Sequence, residues 1–112
     1  MQLALVLTRM LQAINTADVD EFLEVCAPHA VIHDGGERFA GRSGLVEWFA
    51  MNAVGSHVEV RPIEVRSARG RYELRVAWRC EPFHGEPIVF DIGMSALITN
   101  DRLQMLEITS LS

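Results

Sequence analysis

The amino-acid sequence predicts an α+β fold, a curved antiparallel sheet covering three N-terminal helices, in the chain order α-α-β-α-β-β-β-β. Two observations carry this. Apolar residues recur with a helical period up to about residue 52 and with a period of two from residue 57 onward. Turn signals then divide the second half into long strands, so that helices come first and a strand meander last. At 112 residues the chain is one domain, 1–112, with no internal repeat, low-complexity run or linker.

Leu3, Val6, Leu7, Met10, Leu11 and Ile14 share one face and predict an amphipathic helix over residues 2–15. The run Leu3 to Leu7 has no basic residue before it and is interrupted by Thr8-Arg9. It falls short of the roughly 20 apolar residues that span a bilayer, so it reads as the buried side of this helix and not as a secretory leader. Asn15-Thr16-Ala17 ends the helix. Asp18 then caps a second one, with Glu21 as the reciprocal half of a capping box and Pro28 as its stop. Val19, Phe22, Leu23 and Cys26 form its inner stripe. A short strand, Val31 to Asp34, is broken by Gly35-Gly36, a pair that favours positive φ. Gly41-Arg42-Ser43-Gly44 leads into the third helix, with Ser43 as N-cap and Leu45, Trp48 and Phe49 on one side. It runs to about Asn52, and Gly55 closes it.

Residues 57–68 predict a strand whose apolar parity switches from Val58 and Val60 to Ile63 and Val65, which calls for a bulge near Arg61-Pro62. Arg69-Gly70 is a tight turn. Residues 71–83 alternate most regularly: Tyr72, Leu74, Val76, Trp78 and Cys80 on one face, and Arg71, Glu73, Arg75, Arg79 and Glu81 on the other. The arginines at 71, 75 and 79 read as a solvated or dimer-facing stripe that the glutamates offset. Pro82 to Pro87 makes a loop. Residues 88–99 are apolar on both faces, as in a central strand, and Asn100-Asp101 signals a hairpin into a last strand, Arg102 to Leu111.

The composition excludes several classes. Nearly half the residues are hydrophobic, which rules out disorder, and a net charge of −5 argues against nucleic acid or an anionic membrane as partner. All ten basic residues are arginine, so Schiff-base chemistry and a P-loop lysine are absent. The lack of lysine also fits a GC-rich bacterial genome. Cys26 and Cys80 lie outside any CxxC spacing and read as two reduced thiols of a cytoplasmic protein, with a disulfide between them left open.

The functional question centres on the strand before the glycine pair. Alternation puts Ile32 and Asp34 on one face and Val31 and His33 on the other. If Ile32 enters the core, Asp34 does too. A carboxylate in a poorly solvated cavity has its pKa raised, which suits proton transfer; the competing reading is that Asp34 accepts N–H bonds from the glycine turn. His29 and His33 have the i, i+4 spacing of two ligands on a helix, but on a strand that geometry fails, so no metal is assigned. His33 reads as an outer-face residue and His84 as a loop residue able to approach the pocket mouth. Trp48 and Phe49 read first as packing residues.

Three stretches point further: Ala13-Ile14-Asn15-Thr16-Ala17-Asp18 at the helix junction, Ala27 to Asp34 (APHAVIHD), and Phe39-Ala40-Gly41-Arg42-Ser43-Gly44. In this order and spacing the chain resembles the nuclear transport factor 2-like superfamily, which includes ketosteroid isomerase and the SnoaL-like polyketide cyclases. The resemblance covers nearly the whole chain. It implies a cone-shaped α+β barrel with an apolar pocket at the wide end, a single SnoaL-like domain, and a homodimer through the sheet. In the isomerases the residue matching Asp34 is the general base, helped by a tyrosine and a protonated aspartic acid. The tyrosine position falls on Met10, which cannot donate a hydrogen bond. The acidic donor falls near Gly93, with Asp91 two residues earlier on the same face. In that register Asp91 points into the pocket, with Ser95; slipped by one, it faces outward or toward a partner subunit. Tyr72 becomes the replacement donor. The implied catalytic set is Asp34, Asp91 and Tyr72, the implied lining Met10, Ile14, Trp48, Trp78, Phe90 and His84, and no cofactor is implied. The expected ligand is a small apolar molecule. An isomerase, cyclase, dehydratase or hydrolase is the first reading, and a non-catalytic binding or dimerisation module the alternative.

Overall fold

The computed structural model describes residues 3–54, 57–81 and 85–111. Three helices come first or are interleaved: α1 (Leu5–Asn15), α2 (Val19–Val25) and α3 (Gly41–Ala53). They pack against a six-stranded sheet made of β1 (Cys26–Asp34), β2 (Glu37–Ala40), β3 (His57–Ala68), β4 (Arg71–Glu81), β5 (Ile88–Thr99) and β6 (Arg102–Ser110). Strand order across the sheet is β2-β1-β6-β5-β4-β3. The sheet is open and wraps the helices as a cone, as the predicted cone-shaped α+β fold has it. It is also mixed, because β1 runs parallel to β6 while every other pair is antiparallel. The predicted α+β class stands, with one more strand than the sequence predicted.

The added strand is β2. Gly35 and Gly36 both adopt positive φ, 58° and 92°, and fold β2 back onto β1. Because β2 continues to Ala40, α3 starts at Gly41, before the predicted cap at Ser43, and no side chain caps it. Gly44 is required there: a Cβ would lie 2.8 Å from the backbone carbon of Phe39.

The junction of α1 and α2 is a Schellman motif. The Asp18 N–H reaches the Ala13 carbonyl at 2.9 Å and the Ala17 N–H reaches that of Ile14 at 3.2 Å, with Ala17 at φ 52°. Asp18 caps α2 as predicted, its Oδ1 accepting from the Glu21 N–H at 3.1 Å. Glu21 does not return the bond. Its carboxylate takes the Arg9 guanidinium at 2.6 Å and ties α2 to α1. Nor does Pro28 stop α2, which ends at Val25; Pro28 lies within β1.

Asn15 closes the far edge of the sheet. Its amide accepts from the Val60 N–H at 2.6 Å and donates to the Val60 carbonyl at 3.1 Å, so a side chain supplies the pairing that edge strand β3 lacks. The predicted bulge in β3 falls at Ile63, between Pro62 and Glu64. It returns Val65 to the same face as Val58 and Val60, so the parity switch in the sequence is undone in space. The turns at Arg69-Gly70 and Asn100-Asp101 all show positive φ, matching two-residue hairpins.

The core lies between the inner sheet face and the helices. Phe22, Trp48 and Phe49 pack together at its centre, Phe22 stacked on Trp48 with ring centroids 5.6 Å apart and tilted against Phe49 at 4.9 Å. Val60, Val76, Met94, Ala96 and Leu106 meet them from the sheet. No helix among the described residues is long and apolar enough to cross a membrane.

Candidate functional site

Asp34 is the last residue of β1. It shares the inner face with fully buried Ile32 and pairs across the sheet with Ile108 of β6 and Glu37 of β2. Its carboxylate is half-buried and held: Oδ2 accepts from the indole Nε1–H of Trp48 on α3 at 2.9 Å. The glycine turn forms, but the carboxylate's donor is the indole and not the turn. Trp48 is itself immobilised, stacked on Phe22 and edge-on to Trp78 at 6.3 Å and 79°. Asn52, one turn further along α3, donates from Nδ2 to the Trp48 carbonyl at 2.9 Å.

These groups border a cavity of about 280 Å³ between α3 and the sheet. Its sheet wall crosses five strands: Val58, then Trp78 and Cys80, then Phe90 and Ile92, then Ile108, ending at Asp34. Met51, Asn52 and Trp48 form the helix wall. The volume is at the small end for ligand sites, which run from roughly 300 to 1,000 Å³. Asp34, Ile92 and Ile108 also border a cleft over the Gly35-Gly36 turn.

The sequence-predicted residues separate clearly. Asp34, Trp48, Trp78 and Phe90 come together on the cavity wall. Trp48 therefore packs the core and lines the site at once. Met10 is fully buried in the core and Ile14 borders a separate cavity near Asn15; neither lines this one. Tyr72 is on the inner face, but six residues from Trp78 along β4, about 20 Å away. Asp91 does not reach the cavity. It faces the outer side of the sheet, where Arg75 grips it with two bonds of 2.9 Å and holds its carboxyl below the usual range. This is the slipped register: Ile92 and Met94 point inward, so Asp91, Gly93 and Ser95 point outward. His84 lies outside the described residues. His33 pairs with Glu107 of β6 on the face away from the cavity, and no set of three potential metal ligands clusters among the described residues.

Asn52, Cys80, Ile92 and Ile108 were not singled out from sequence. Three of them carried a signal: Asn52 is one helical turn after Trp48, Cys80 shares parity with Trp78, and Ile92 shares parity with Phe90. Ile108 had none, because the β1–β6 pairing joins distant parts of the chain.

A three-helix layer over a bent, open sheet, with a pocket at the end of β1, is the nuclear transport factor 2 and ketosteroid isomerase-like fold. A model of the SnoaL-like domain matches residues 7–102, and the chain belongs to that family. A putative polyketide cyclase from Sinorhizobium meliloti superposes with a TM-score of 0.82 at 24% identity, covering 96% of this chain and 95% of that one. A ketosteroid isomerase-like protein from Catenulispora acidiphila, solved with trimethylamine, gives a TM-score of 0.88 at 14% identity, covering 99% and 89%. The epoxide hydrolase/cyclase-like enzyme SalBIII gives 0.83 at 15%, covering 94% and 87%. No curated protein matches the sequence.

Proposed function

We propose that this protein binds a small, largely apolar molecule in the 280 Å³ cavity and that Asp34 acts on it as general acid/base. The observation that carries this reading is the Trp48–Asp34 bond. It fixes one carboxylate oxygen at 2.9 Å and leaves the other available to a ligand, on a wall otherwise mostly apolar. A cyclase-type ring closure is favoured within the enzyme classes that such a base serves, since cyclases and cyclase-like enzymes share the fold.

A non-catalytic binder is the second reading, and a specific observation favours it. None of Met10, Tyr72 and Asp91 brings a donor to the cavity, so a developing oxyanion would depend on the Trp78 indole or the Asn52 amide. A panel of small apolar ketones, alcohols and epoxides, read by thermal shift and by product mass, separates the two. General acid/base work predicts that Asp34→Asn slows conversion of any substrate about 10²-fold or more. Hits whose stabilisation and conversion ignore Asp34→Asn would remove Asp34 as the working residue, and stabilisation without conversion would leave the binder.

A further inference from the structure

The charge and shape of the lining define what kind of molecule it accepts. Asp34 is the only charged residue on the wall, and no arginine or histidine stands there among the described residues. Its hydrogen bond comes from a neutral indole, so among the described residues the negative charge has no counter-ion within the site. A half-buried carboxylate without a cation is costly, and a ligand that brings one recovers that cost. The remaining wall supplies three aromatic rings, Trp48, Trp78 and Phe90. Trp78 and Phe90 are cross-strand neighbours on β4 and β5, and Trp78 meets Trp48 edge-on. Aromatic faces attract a cation, most strongly when it is desolvated. Apolar surfaces from Met51, Val58, Ile92 and Ile108 make up the rest of the wall.

We propose that the cavity selects ligands carrying a protonated amine on a compact apolar body, with the ammonium against Asp34 and its alkyl groups against Trp78 and Phe90. This rests on the pocket reading above and holds whether or not the bound molecule is converted. Carboxylates and phosphates are excluded by the same charge, and a neutral molecule of equal shape forgoes both the ion pair and the cation–π contact.

The test uses three size-related probes: benzyldimethylammonium, its tertiary-alcohol counterpart benzyldimethylcarbinol, and phenylacetate. Both tryptophans of the chain line the cavity, so intrinsic fluorescence reports occupancy directly. The ammonium should bind about tenfold tighter than the carbinol, and phenylacetate weakest of all. In Asp34→Asn the preference for the cation should shrink to about twofold or less. The preference within the wild type is itself a test, so poor folding of the variant does not leave the matter open. Equal binding of ammonium and carbinol, or a cation preference unchanged in a folded Asp34→Asn, would overturn the amine proposal while leaving the pocket reading in place. No fluorescence change with any probe, together with no thermal shift across the apolar panel, would overturn both.

Discussion

Trp48 does two jobs with one side chain: its rings fill the core against Phe22, and its N–H fixes Asp34. Trp48→Phe keeps most of the first and deletes the second. Urea denaturation should show a loss of roughly 2–3 kcal/mol, from a smaller ring and an unmade bond to a carboxylate. Cys26 gives a second prediction. Burial pushes its thiol from 9.0 up to about 12, so the folded state holds that proton more tightly than the unfolded chain. The corresponding stability is complete below pH 9 and is lost as pH rises from there towards 12, at about 1.4 kcal/mol per unit. Denaturation at pH 8 and pH 10 should show this slope in the wild type and not in Cys26→Ala. At this scale the sequence told much about Asp34, since strict alternation beside Ile32 sets its side. It told nothing about the indole partner, fourteen residues on in a different element. Asp91 was misplaced by a single step of register, which reverses the face of every residue in a strand.

Among the elements, the α1–α2 junction carries a built-in cost. Ala17 sits at φ 52° in the position where a helix ends left-handed, a conformation that a Cβ disfavours. Ala17→Gly should therefore stabilise the protein by about 0.5–1 kcal/mol, read as a higher urea midpoint with an unchanged slope. Asp18, the Arg69-Gly70 and Asn100-Asp101 turns and the β3 bulge were legible because each rests on residue chemistry confined to a few neighbours. β2 was not. Four residues with one buried side chain, Phe39, carry too little alternation to mark a strand, and it exists because the glycine turn lays it on β1.

For the molecule as a whole, the site depends on the meander returning to the start of the fold. The cavity wall crosses β3, β4, β5, β6 and β1, so no pair of adjacent strands can form it alone. Unfolding should be a single cooperative transition. Tryptophan fluorescence, which reports the cavity, and far-UV circular dichroism, which reports the whole sheet and helices, should give superimposable urea curves. A fluorescence transition that comes first would mean that the site opens independently of the sheet. The α+β class could be read from periodicity and resemblance. The parallel joint between β1 and β6 could not, because nothing local specifies which strands far apart in the chain will lie side by side.

That joint also has a consequence during biosynthesis. Residues up to Asp34 emerge from the ribosome with the helices able to gather around them, yet the strand that must lie beside Asp34 is made only after β2, β3, β4 and β5. Until Ile108 clears the exit tunnel, the edge of β1 stays open and the nascent chain presents it to any passing strand.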